Sequence, residues 1–245
     1  MNRWKAASIH LSISFVLATT IGALLYFLWF PSPYFIAAGA SKLIILLMGV
    51  DIGIGPLLTL IVVSPRKTRK LLRLDLSVIA VLQTIAFAYG VHVIAAARPV
   101  FVVAAVDRLE LVSADELANT DLAQGSQVTF RTRSWTGPVL VGVQPGGKDF
   151  NALKILESGK DLVQLPKYYL PYDQVADKLM HRAKPLSQIK IATEYQRRQL
   201  EQIQAGANDG DMLLALPLQR GDRYYTAIMS PKTRRPVRIL SIDPW

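Results

Sequence analysis

The sequence predicts a membrane protein: three transmembrane α-helices, then a mixed α+β periplasmic domain with a C-terminal antiparallel meander. Two observations carry this reading. Three apolar runs fill the first hundred positions, each long enough to cross roughly 30 Å of hydrocarbon at about 1.5 Å per residue. Composition then shifts at Ala97-Arg98-Pro99, beyond which charges of both signs recur every few residues. The shift divides the chain into a transmembrane region, 1–97, and a domain, 98–245, large enough to bury its own core.

The first span covers Ile9–Phe30, the second Leu43–Val63 and the third Leu76–Ala97. The first follows Arg3 and Lys5, as a signal peptide would. It is too long for a typical signal core, however, and no small-x-small cleavage site closes it. Trp4 and Trp29 fit interfacial aromatic positions, and Pro31 and Pro33 stop the helix. The connector Ser64–Arg73 holds five basic residues and no acid. The positive-inside rule places this connector and the N-terminus in the cytoplasm. The Pro31–Lys42 loop has a single basic residue and faces outward. Three crossings leave the C-terminal domain in the periplasm.

Beyond the spans, Val100–Val106 reads as a strand. Ser113-Ala-Asp-Glu116 has capping-box form and starts a short helix. Val128–Arg133 and Val139–Val143 read as strands, the latter followed by a turn at Pro145-Gly-Gly147. Phe150–Leu156, Gln174–Ala183 and Leu186–Gln204 read as helices. In the last, Leu186, Ile189, Ala192, Leu200 and Ile203 keep helical spacing, Gln196 breaks the stripe and Gly206 ends it. Met212–Leu218, Tyr224–Met229 and Val237–Ile242, with turns at Arg220-Gly-Asp222 and Pro231, form the meander.

Composition excludes several chemistries. The chain has 245 residues, a formal charge of +10 and no cysteine. Disulfides, thiolate catalysis and thiolate metal sites are therefore ruled out. The first 97 residues carry eight basic and two acidic side chains. Their clustering at span ends is a topology signal rather than a nucleic-acid footprint. His10, His92 and His181 form no metal-binding pair. No G-x-S-x-G, S-x-x-K or H-E-x-x-H motif occurs, and Pro145-Gly-Gly-Lys148 lacks the Walker spacing. No cofactor is predicted. Asp107-Arg108 and Asp222-Arg223 read as solvated turn charges, with partner binding as the alternative. Lys232-Thr-Arg-Arg235 reads either as a solvated hairpin tip or as a contact for anionic lipid heads or an acidic partner.

Asp51 is the unusual residue. A carboxylate inside a span costs about 2.5–3.5 kcal/mol on insertion scales. Gly49, Gly53 and Gly55 flatten its helix for close approach, and Pro56 frees the Ile52 carbonyl and kinks it. Three roles fit: an internal hydrogen bond to Gln83, Tyr89 or Thr59, contact with an external transmembrane partner, or proton handling. Asp75 reads as a helix-start acid.

The segments Arg3-Trp-Lys5, His10-Leu11, Gly49-Val-Asp-Ile-Gly-Ile-Gly-Pro-Leu-Leu-Thr59, Leu72-Arg-Leu-Asp75, Leu82-Gln83, Tyr89-Gly90, Arg98-Pro-Val100, Val106-Asp-Arg108 and Val112-Ser-Ala114 together resemble type IV pilin accessory proteins of the TfpX/TfpZ kind. The resemblance covers roughly residues 1–115. It implies a non-enzymatic inner-membrane helper that assists its own major pilin and promotes pilus assembly, with the pilin and the lipid bilayer as partners. A pilin waiting in the membrane carries a glutamate and a free amine on an apolar helix. The candidate partner-binding residues are Asp51, Gly49, Gly53, Gly55, Pro56, Thr59, Gln83 and Tyr89. The rival functions are a membrane enzyme using intramembrane Asp51 and an envelope sensor.

Overall fold

The computed structural model describes residues 2–64, 66–146, 150–191, 193–206 and 212–244. Three long apolar helices come first: α1 (Arg3–Leu28), α2 (Ala40–Val62) and α3 (Arg69–Ala97). Each is long and apolar enough to cross a membrane. All three start earlier than the apolar runs, and α3 starts two turns earlier. Lysine, arginine and glutamine are strong helix formers, so the basic flank of α3 continues the helix. The α1 residues Ala7, Ser14, Ala18 and Leu25 are buried. They form a seam of mostly small side chains along one face, which permits close helix packing.

Two compact units divide the chain. One comprises residues 1–28 and 39–96, the other 29–38 and 97–245. The connector after α1 therefore folds with the sheet domain. Phe30, Ala37 and Ala38 are each at most 1% exposed. Arg220 holds the connector in place. It donates from Nη1 to the Ala37 carbonyl (3.3 Å), and from Nη2 to the Ala97 carbonyl (3.1 Å) and Ser113 Oγ (3.3 Å).

The second unit is built on an eight-stranded mixed sheet. Its strands are β1 (Pro99–Ala104), β2 (Leu109–Ser113), β3 (Val139–Val143), β4 (Tyr169–Pro171), β5 (Lys184–Pro185), β6 (Leu214–Arg220), β7 (Arg223–Met229) and β8 (Pro236–Leu240). The order is β4-β3-β1-β2-β6-β7-β8, with β5 paired to β6. β1/β3 and β2/β6 run parallel and the other pairs antiparallel. The expected meander is present as β6-β7-β8, turning tightly at Gly221 (φ 52°). It is continuous with the larger sheet rather than a separate layer.

Short helices flank the sheet: α4 (Asn119–Leu122), α5 (Ala152–Glu157), α6 (Ala176–Met180) and α7 (Glu194–Ala205). One core gathers Val100, Phe101, Val141, Val143 and Tyr169. Phe101 and Tyr169 meet edge to face at 5.1 Å, and the Tyr169 hydroxyl donates to the Val163 carbonyl. Burial pushes that hydroxyl's proton affinity well above the usual phenol range. A second core joins Leu186, Ile189, Leu200, Ile228 and Leu240.

Two expectations fail. Val128–Arg133 is not a strand; Val128–Phe130 is a 3₁₀ turn. Phe130 turns into the core while Val128 stays 76% exposed. Arg131 and Arg133 donate back to the Gly125 and Ala114 carbonyls, each at 2.9 Å, so the segment closes on itself instead of pairing. Leu186–Gln204 is not one helix. Leu186–Gln188 is a 3₁₀ turn and Ile189 is extended; α7 begins only at Glu194. Thr193 and Gln196 form a capping box there: each side chain accepts from the other residue's backbone N–H, at 3.3 and 3.2 Å. The stripe-breaking glutamine is thus the helix start signal. Ala192, Gly147 and Lys148 lie outside the described residues. The Ser113–Glu116 capping box forms as expected.

Candidate functional site

The candidate site lies within the three-helix unit and is organised by an irregular turn. Val50–Ile54 winds as a π-helix inside α2. Pro56 explains it locally: the ring has no N–H to give the Ile52 carbonyl and would clash with it in an α-helical turn. A wider turn relieves the clash, and such turns recur at functional positions. Asp51 stands in this turn at 6% exposure.

Gln83 of α3 reaches across to α2. Its Nε2 donates to the Asp51 backbone carbonyl at 3.5 Å, and its side chain and His10 of α1 are electrostatic neighbours of the carboxylate. Gly55 makes room for this: a Cβ there would stand 1.9 Å from Gln83 Nε2. Pro56 is buried beside it. Thr59, at 2% exposure, bonds His10 rather than Asp51, with Thr59 Oγ1 and His10 Nδ1 2.6 Å apart. The pair forms the polar floor of an apolar groove of about 270 Å³ walled by Ile9, Ile13, Leu76 and Ile79.

The eight predicted residues therefore separate. Asp51, Gly55, Pro56 and Gln83 form one inward-facing group, and Thr59 joins it through His10. Gly49 and Gly53 face open space, with nothing within 4 Å of a Cβ placed on either. Tyr89 is 70% exposed and stands outside the group. His10 was missed as a member, although one signal pointed to it. His10 is the one histidine of this helix and stands four residues, one turn, before Ser14, which is buried, so the two share a face.

Elsewhere, Asp75 is ion-paired to Lys67 at 2.7 Å, so it fastens the basic connector to α3. The 232–235 tip is tied down rather than freely solvated. The Tyr172 hydroxyl donates to the Arg234 carbonyl, Arg234 pairs with Asp177 at 2.8 Å, and the Arg235 guanidinium lies 5.9 Å from the Tyr172 ring centre. Burial pushes the Tyr172 hydroxyl up to about 12. Among the described residues, no group of three His, Asp or Glu side chains could hold a metal ion.

Residues 1–39 match the family described as Fimbrial assembly protein FimB. The fimbrial assembly protein of serogroup E1 from Dichelobacter nodosus is 35% identical over 188 residues, covering 75% of this chain and 72% of the relative. The serogroup I protein of that organism is 34% identical over 187 residues, with the same coverage. The protein of serogroups C1 and C2 is 38% identical over 120 residues, 49% of this chain and 92% of the relative. No solved structure matches. This chain belongs to the fimbrial assembly protein family, and its role is in pilus assembly.

Proposed function

We propose that this chain is an inner-membrane accessory protein of the TfpX/TfpZ kind that binds a type IV pilin non-covalently and assists its stability and assembly. The N-terminus is cytoplasmic and the sheet domain, residues 98–245, is periplasmic. Two features support this topology. The basic connector between α2 and α3 resists crossing. Residues 29–38 and 97–245 share one compact unit, so they lie on the same side of any bilayer, as three crossings require.

The observation that carries the pilin-binding reading is the two-sidedness of the Asp51 turn. Its inner side is filled by Gln83 and Gly55. Its outer side presents Gly49 and Gly53, bare of neighbours. Small residues let a second helix approach closely, and close approach drives helix association in lipid. The pilin's apolar helix docks on that flank, and the periplasmic domain holds its globular head. No step of this role requires catalysis.

Co-expression with the pilin and affinity capture from solubilised membranes tests the assignment. Gly53→Leu should lower the pilin recovered per accessory chain while leaving the accessory level unchanged. Asp51→Ala should do likewise if the carboxylate touches the pilin. A parallel fall in accessory level and capture assigns Asp51 to the bundle alone. Unchanged capture in both variants places the pilin elsewhere and overturns the site.

A further inference from the structure

One cluster in the sheet domain remains unexplained by pilin binding. The Arg98 guanidinium lies against two indoles, 4.2 Å from the ring centre of Trp135 and 5.6 Å from that of Trp29. The two indole centres are 5.9 Å apart. Arg98 Nε also donates to the carbonyl of Ser134, at 3.3 Å, which ties the strap before Trp135 to the same cation. Trp29 is the residue after the end of α1, and Arg98 the residue after the end of α3. Trp135 comes from neither helix. It belongs to the loop before β3, more than a hundred residues from Trp29, and it is 62% exposed.

We propose that Trp135 is an interfacial anchor that rests the sheet domain on the phospholipid headgroup layer. The inference rests on the reading that α1 and α3 cross the bilayer. If they do, their ends set the level of Trp29 and Arg98 at the outer interface. Contact with both, as a cation–π pair with Arg98 and a tilted ring pair with Trp29, then holds Trp135 at that level. An indole is suited to this depth, with an apolar body and one N–H donor. Its exposure, unfavourable for so large an apolar surface in water, is satisfied by the acyl-chain boundary. The Arg98 charge, held by two π faces, sits where lipid phosphates are.

The full chain is reconstituted into vesicles of phosphatidylethanolamine and phosphatidylglycerol, with or without bromine on the upper acyl chain. The variant W4F/W29F/W245F keeps Trp135 as the single indole. Its emission should lose most of its intensity in brominated vesicles and resist aqueous iodide. Strong iodide quenching without bromolipid quenching overturns the proposal, and is the result expected if Trp135 instead waits in water for a protein partner. The difference spectrum between the natural chain and Trp135→Phe gives the same readout with Trp29 in place, so a folding defect in the triple variant leaves the test standing. An alkaline carbonate wash separates the two ideas. A chain that washes off refutes the membrane-spanning reading and the anchor together; a retained chain with iodide-quenched Trp135 refutes the anchor alone.

Discussion

Replacing Arg220 by methionine isolates the link between the α1–α2 connector and the sheet domain. Methionine keeps an apolar stem of similar length but removes every donor. Three hydrogen bonds vanish, to Ala37 O, Ala97 O and Ser113 Oγ, at 3.1–3.3 Å. Bonds from a charged donor contribute about 1.5–3 kcal/mol each at good geometry, and neutral ones about 0.5–1.5. These three are at the long end of the normal range, so about 1 kcal/mol each is apt. Burial also makes Arg220 lose its proton more readily than a free arginine, and removing the guanidinium relieves that unfavourable desolvation. The net loss is then about 2–3 kcal/mol. For a domain of this size, that lowers the melting midpoint by roughly 4–12 °C. Near-ultraviolet circular dichroism of the full chain in detergent reads the midpoint. Hydrogen exchange reads the connector, where the Ala38 amide bonds the Tyr34 carbonyl at 2.9 Å. Arg220→Lys should fall between, since one ammonium cannot serve three dispersed acceptors. An unchanged midpoint together with unchanged protection at Ala38 would refute the idea that Arg220 clamps the connector.

Two further substitutions probe the sheet. A Cβ on Gly142 would stand 2.3 Å from Val175 Cγ2 and 3.0 Å from Cγ1. Valine is stiff about χ1, so Gly142→Ala should cost about 1–3 kcal/mol by overpacking; adding Val175→Ala should recover part of it, as read by urea unfolding of the double-mutant cycle. Arg108 Nε meets Glu110 at 2.7 Å, yet burial outweighs that attraction and pushes the Glu110 carboxyl above the usual carboxylate range. A carboxyl raised in the folded state binds its proton more tightly there than in the unfolded chain, so stability rises as pH falls through the raised value. Arg108→Met raises it further. The variant should therefore be roughly 2–3 kcal/mol less stable at neutral pH, short of a fully buried pair because Arg108 is partly exposed. The deficit should shrink as pH falls toward the ordinary glutamate value near about 4.3. Urea midpoints across that range check the sign, and a deficit that grows on acidification contradicts it.

What the sequence made legible follows from how local the signals are. The three apolar helices are periodic over many turns, and their composition alone specifies them. The β6-β7-β8 meander is local too, since its turn residues and alternation lie within one stretch. β2 was hidden because Glu110 interrupts an otherwise apolar run; pairing with β1 and β6 buries the strand, and Arg108 answers the glutamate's charge. The same limit applied to Val128–Arg133. Its alternating pattern suits a strand, but the β1 edge is taken by β3, so the segment curls. At the candidate site, Asp51, Gly55, Pro56 and Gln83 were readable because a carboxylate, glycines and a proline are rare inside an apolar helix. His10 was not readable as their neighbour, since it depends on how α1 lies against α2.

The two faces of the Asp51 turn also bear on what the carboxylate is for. An unpaired carboxylate in lipid is unfavourable by several kcal/mol, and here Gln83 and His10 stand beside it before any partner arrives. Gly55 is required for that arrangement, because any side chain there must displace the Gln83 amide. Gly49 and Gly53 have no such internal duty. Three glycines that look alike in sequence thus divide between fastening the bundle and leaving a flank bare. A partner helix that uses the bare flank need not touch the carboxylate at all. The carboxylate would then hold the wide turn in shape, and the turn would set the angle at which Gly49 and Gly53 are offered. On this reasoning Asp51→Asn, which keeps hydrogen-bonding capacity, should preserve pilin capture, whereas Gly53→Leu should lower it.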